Sequence, residues 1–187
     1  MSQHSYSRCW LHLIWGTHAR GRVFTAESGA KVSAYLAKYA AAKGIYHRIN
    51  FVNADHVHAL IDLPTHMTIE QTVKLLKGAS SHWINEHDIV PGKFSWGRGY
   101  AALSVSQSGI ADVSSYIANQ AEHHRVKTFT EEYRAFVERY GLQWREEGEE
   151  TVKTVPQGEA RPVPAINRGV NETGPPLPGE DTISPAS

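Results

Sequence analysis

Residues 53–64, NADHVHALIDLP, decide how the rest of the chain is read. Asn53-Ala54-Asp55 has the composition of a tight turn, and Pro64, with no amide hydrogen to donate, stops whatever lies between them. Side chains of a strand alternate between its two faces. Val57, Ala59, Ile61 and Leu63 therefore share one face, suited to a core under helices. His56, His58 and Asp62 project from the other. Two imidazoles separated by one residue stand roughly 6.5–7 Å apart along a strand. They can converge on one cation, and neutral imidazole is the commonest side-chain metal ligand. In a chain of 11 histidines, however, a His-x-His pair is more often incidental than metal-binding on spacing alone. The pair needs a partner from elsewhere in the sequence.

Working outward, WLHLIWGT (10–17) is a dense apolar, β-favouring run that reads as a central strand. A loop, HARGRVFTAESG, leads to KVSAYLAKYAAAK, where Val32, Tyr35, Leu36 and Tyr39 recur at helical spacing before Gly44. IYHRINFVN (45–53) reads as the strand preceding the histidine strand. After Pro64, Thr68 and Gln71 form a capping box for a helix lined by Ile69, Val73, Leu76 and Trp83. YAALSVS (100–106) is a fourth strand, and SGIADVSSYIANQAEHH a third helix with Val113, Tyr116, Ile117 and Gln120 on one side. A short last helix carries Tyr133, Phe136, Val137 and Tyr140, and Gly141 closes it.

The order β-α-β-β-α-β is that of an α+β, ferredoxin-like or RRM-like split βαβ sandwich. It predicts a four-stranded antiparallel sheet with helices on one face and an additional C-terminal helix, the other face being available to a ligand. Composition is consistent with one such domain: 187 residues, 41% hydrophobic and 10% aromatic, with a single cysteine, Cys9, that excludes an intrachain disulfide or a cysteine zinc cluster. The longest apolar runs are too short to span a bilayer and the first residues do not resemble a secretory signal, so a cytoplasmic protein without membrane association is expected. The formal charge of zero conceals a division: residues 1–145 hold 16 Lys and Arg against 11 Asp and Glu, residues 146–187 only 3 against 8. The first 145 residues read as the folded domain, and the acidic, Pro- and Gly-rich remainder as a disordered tail.

Tyr116 and Gln120, four apart, occupy one helical face. A tyrosine hydroxyl can attack a phosphoryl group that a metal polarises, and an amide oxygen can ligate a hard cation. Each also has a plainer reading, Tyr116 as a core aromatic and Gln120 as a solvated helix residue.

DHVHALIDLP, the helix SYIANQAEHH with its Tyr-x-x-x-Gln, and the opening HLIWGTHARGRVF together resemble the IS200/IS605-type transposases and the related repeat-associated tyrosine transposases, members of the HUH single-strand nuclease superfamily. FSWGRGYAALSVS and TFTEEYRAFVERYGL match the style of the same group, so the resemblance runs from about Trp10 to Trp144. It implies that His56, His58 and Gln120 hold Mg²⁺ or Mn²⁺. It further implies that Tyr116, on a catalytic helix, attacks single-stranded DNA near a hairpin, leaving a 5′-phosphotyrosine bond and a free 3′-hydroxyl. A homodimer is implied as well, with the tyrosine helix acting in its own subunit or in the other. His124, on the Tyr116–Gln120 face, is a competing ligand, and Asp55 a candidate partner for His56. Arg20, Arg22, Lys74, Lys77, Lys93, Arg98, Arg125 and Lys127 are the candidate phosphate contacts, which set affinity and salt dependence rather than sequence choice. Two other readings stay open. One is a domesticated relative that binds or nicks repeat hairpins; the other is a non-catalytic RRM-like module, which would carry paired aromatics where strand 56–63 carries histidines.

Overall fold

The computed structural model describes residues 6–123 and 128–143. The expected acidic tail, His124, Arg125 and Lys127 lie outside the described residues. Four strands, β1 (Trp10–Gly16), β2 (Tyr46–Val52), β3 (His56–Asp62) and β4 (Ala101–Ser104), form one antiparallel sheet in the order β2-β3-β1-β4. Five helices accompany it: α1 (Ala26–Ala42), α2 (Ile69–Glu86), α3 (Ile110–Ala118), α4 (Gln120–His123) and α5 (Phe129–Arg139). This is the split βαβ sandwich that the element order predicts.

The two runs richest in apolar residues, β1 and β3, are the central strands, as burial on both faces requires. They pair with Ile14 opposite His58 and Leu13 opposite Ala59. Leu11, Leu13 and Trp15 join Val57, Ala59 and Ile61 on one face of the sheet. Val32, Leu36 and Ala40 of α1 and Val73, Leu76 and Ile84 of α2 close over that face.

Three element boundaries differ from the sequence reading. α1 begins at Ala26 rather than Lys31, because Thr25 and Ser28 form a capping box in which each side chain meets the other residue's amide. β4 is confined to Ala101–Ser104, within the expected 100–106. The helix expected over 108–124 opens as a 3-10 turn at Gln107–Gly109 and breaks at Asn119 (φ −95°, ψ 14°), dividing α3 from α4. Asn is a poorer helix-interior residue than most, in keeping with a break at this position. α2 starts where Thr68 and Gln71 place it, with both halves of the box formed. Just past the Tyr140 cap of α5, Gly141 has a φ of +69°, the left-handed position that favours glycine.

The histidine face is not open. α3 lies over β2 and β3, where Ile117, Val113 and Tyr116 pack with Trp10, Leu60 and Phe51. α5 brings Phe129, Tyr133 and Phe136 against Ile14, Ala101 and Leu103. The amphipathic pattern of these helices marks an apolar side without saying which sheet face it will cover, hence the difference. Among the described residues no helix is long and apolar enough to cross a membrane.

Gly29 shows how closely α1 sits on β2: a Cβ at that position would lie 2.7 Å from the Val52 carbonyl oxygen. Gly29→Ala is expected to destabilise the domain by about 1–3 kcal/mol despite alanine's better helix propensity. Urea unfolding checks this; an unchanged or raised midpoint would show that the helix can shift at no cost.

Candidate active site

His56 and His58 have no solvent exposure, and neither does Gln120. A buried polar group must find partners or incur a desolvation cost of a few kcal/mol, and the partners here define the site. His56 Nδ1 donates to Asp55 Oδ1 at 2.6 Å. His58 Nδ1 lies 2.9 Å from Nε2 of His12, a buried imidazole on β1. The other ring nitrogens face a carboxylate from α5: Glu132 Oε2 is 3.9 Å from His56 Nε2 and 3.6 Å from His58 Nε2. Gln120 Nε2 donates to Glu132 Oε1 at 3.1 Å, while Gln120 Oε1, also buried, accepts no hydrogen bond among the described residues.

The donor set fits a cation. One ligand atom from each of His56, His58 and Glu132 lies within 4.8 Å of the others. At bonds of about 2.1 Å, neighbouring ligands of an octahedral ion stand about 3 Å apart, so small side-chain movements would close the group. A carboxylate hardens the set relative to two imidazoles and an amide alone, and the mixed nitrogen and oxygen donors suit a divalent ion.

Electrostatics follow from burial. Desolvation pushes the Glu132 carboxyl up to about 7, Asp55 adding to the rise and the His56 imidazole opposing it. Burial, and then the neighbouring His58, push His12 down to about 3, so it is neutral.

The tyrosine is close by in the same chain. The Tyr116 ring is half-buried and meets the His58 ring edge-on, with centroids 5.8 Å apart, between His12 at 6.2 Å and Phe136 at 5.6 Å. Although the helix breaks between them, Tyr116 and Gln120 still address one region.

Glu132 and His12 were missed by the sequence reading. The available signal for Glu132 is its place among Phe129, Tyr133 and Phe136 at helical spacing, a carboxylate on an apolar stripe. His12 shares the face of β1 that carries Trp10 and Ile14, the face of the histidine pair. Asp62, at the strand end, is held by Arg8 and the Cys9 amide at 2.8 and 2.7 Å.

The basic candidates among the described residues differ in what they contact. Arg20 Nη1 donates to Thr130 Oγ1 on α5 at 2.6 Å, and Arg22 is exposed nearby in the chain. Lys74 is exposed on α2, which packs on the sheet face opposite the histidines. Lys77 donates to the carbonyls of Gly97, Arg98 and Gly99, and its burial lowers its pKa, so it serves the 97–99 backbone. Lys93 and Arg98 are exposed in the connection before β4.

The family model described as transposase IS200 like matches residues 5–120. The chain belongs to that family. Among curated relatives, the ISDra2 transposase TnpA of Deinococcus radiodurans is 31% identical over 114 residues, which cover 58% of this chain and 81% of that protein. The transposase for insertion sequence element IS200 of Salmonella typhimurium is 28% identical over 131 residues, 66% of this chain and 84% of its own length. A crystal structure of a transposase from Deinococcus radiodurans R1 superposes with a TM-score of 0.51 at 30% identity, over 64% of this chain and 96% of that one. The matched span of this IS200-like transposase includes His12, Asp55, both strand histidines, Tyr116 and Gln120, and stops before Glu132.

The raised Glu132 pKa has a testable sign. A carboxyl that holds its proton more tightly when folded stabilises fully below its ordinary value of 4.5, and that contribution is lost as pH rises through about 7. In chelator, wild type should therefore lose stability relative to Glu132→Gln between about pH 5 and 8. Urea midpoints at the two pH values measure this, and a constant gap would mean that the carboxyl titrates normally.

Proposed function

We propose that this transposase cleaves and rejoins single-stranded DNA at hairpin-flanked ends, with Tyr116 as nucleophile and a Mg²⁺ or Mn²⁺ ion held by His56, His58 and Glu132. The observation that carries the reading is the packing of Tyr116 against His58 within one chain, beside the group of ligand atoms contributed by β3 and α5. When bound, the cation would supply positive charge at the scissile phosphate, where negative charge builds in the transition state. Gln120 would orient the Glu132 carboxylate through the amide hydrogen bond and offer its own Oε1 as a further ligand atom. Asp55 would keep His56 in the Nδ1–H tautomer, with the Nε2 lone pair presented to the ion.

The step balances without an external energy source. The Tyr116 oxygen attacks phosphorus as the P–O3′ bond breaks; the phenol gives up one proton and the departing 3′ oxygen takes one up. A second 3′-hydroxyl can reverse the exchange and reseal a strand. The phosphodiester must approach from the side of the half-buried tyrosine, since the histidines are enclosed. Arg22, Lys93 and Arg98, exposed cations, are the better phosphate contacts, and Lys77 the poorer one because it is engaged with backbone carbonyls. Arg125 and Lys127 remain candidates by sequence alone.

A denaturing gel tests the reading, with labelled single strands carrying the hairpins that flank the coding sequence, in Mn²⁺ or Mg²⁺. A covalent adduct is expected with wild type and is expected to vanish in Tyr116→Phe and in His58→Ala. An adduct that survives Tyr116→Phe would transfer the nucleophile to another tyrosine. Hairpin binding with no adduct under any condition would favour a domesticated binding protein.

A further inference from the structure

The two histidines of the pair are not supported alike. His56 Nδ1 meets a carboxylate, that of Asp55, whereas His58 Nδ1 meets another imidazole, that of His12. His12 lies on the neighbouring central strand: β1 places Ile14 directly opposite His58, and His12 is the diagonal neighbour on the same face. Diagonal positions on adjacent strands are within reach of ring-sized side chains, and the two rings meet with centroids 5.1 Å apart. His12 is 3% exposed, enclosed by His58, Tyr116 and Phe136.

We propose that His12 is the positioning residue for His58, fixing its tautomer and ring orientation so that Nε2 is presented to the cation. The inference rests on the metal-dependent reading above. At 2.9 Å between His12 Nε2 and His58 Nδ1 there is room for one proton. If His58 Nε2 ligates a metal, the His58 proton must sit on Nδ1 and donate to His12 Nε2, which leaves His12 protonated at Nδ1. His12 therefore acts only as an acceptor, through a lone pair that water cannot replace in this enclosed position.

Mn²⁺ titration of the full chain, read by electron paramagnetic resonance of the free ion, tests this without reference to DNA cleavage. His12→Phe keeps an enclosed ring and removes the acceptor, and should weaken Mn²⁺ binding about 10- to 100-fold. His12→Gln, which can accept through its amide oxygen, should recover most of the affinity. Thr68→Ala serves as the control for stability alone, since it removes the N-terminal cap of α2, on the sheet face opposite the histidines, and should leave Mn²⁺ affinity unchanged. Full Mn²⁺ affinity in His12→Phe, or failure of His12→Gln to recover any, would overturn the role of His12 while leaving the metal site intact. Absence of saturable Mn²⁺ binding in wild type would instead overturn the metal reading and this inference with it. Should His12→Phe not fold, long-range ¹H–¹⁵N correlation on metal-free wild type decides: both rings protonated at Nδ1 is expected, and His58 protonated at Nε2 would overturn the proposal.

Discussion

Two imidazoles stand side by side on a central strand with no access to water, and the arrangement around them follows from that constraint. Each ring presents two nitrogens that must meet a polar partner in a region where an unmade hydrogen bond costs a few kcal/mol. On the strand side the partners are Asp55 at the preceding turn and His12 on the adjacent strand. On the outer side both rings face Glu132, which Gln120 in turn holds. Burial makes the Glu132 carboxyl bind its proton unusually tightly, against the pull of the His56 imidazole, and a divalent cation, if bound, would displace that proton.

The cover over this group depends on small, specific contacts. Phe129, the first residue of α5, stacks on the His56 ring with centroids 4.2 Å apart and planes nearly parallel. It can do so because residue 16 has no side chain: a Cβ on Gly16 would lie 3.0 Å from Phe129 Cε1. Next to it in sequence, Thr130 accepts from Arg20, whose φ of +54° belongs to the left-handed region that non-glycine residues rarely adopt. That turn is tied down by Thr17 Oγ1 donating to the Gly21 carbonyl. The end of β1 and the turn that follows it thus fix α5, and α5 supplies the carboxylate of the site. Arg20 is part of this support, which explains why its position near the site need not signal contact with DNA.

What could be read from sequence was what local pattern determines. Alternation assigned His56 and His58 to one face and Val57, Ala59 and Ile61 to the other, as the core confirms. The Thr68–Gln71 box fixed the start of α2 because a cap is made within four residues. His12 and Glu132 escaped notice because their meaning lies in long-range pairing. His12 is 46 residues from the ring it touches, and in isolation it is one polar residue in an apolar strand. Glu132 sits beside Glu131, which is exposed and caps α5, so the pair reads as an ordinary acidic first turn. Only docking of α5 on the histidine face distinguishes them. The assumption of an open sheet face failed for the same reason: helical periodicity reveals that a helix has an apolar side, and the sheet alone determines where it goes.

The break at Asn119 separates two duties that an unbroken helix would have joined. Tyr116 belongs to α3, anchored to the sheet through Ile117 and Val113. Gln120 opens α4 and is anchored instead to α5, through Glu132. With the non-helical Asn119 between them, Gln120 turns to Glu132 while the Tyr116 ring stays packed against His58 and Phe136. The turn at Asn119 thus lets four elements, β3, α3, α4 and α5, contribute side chains to one site.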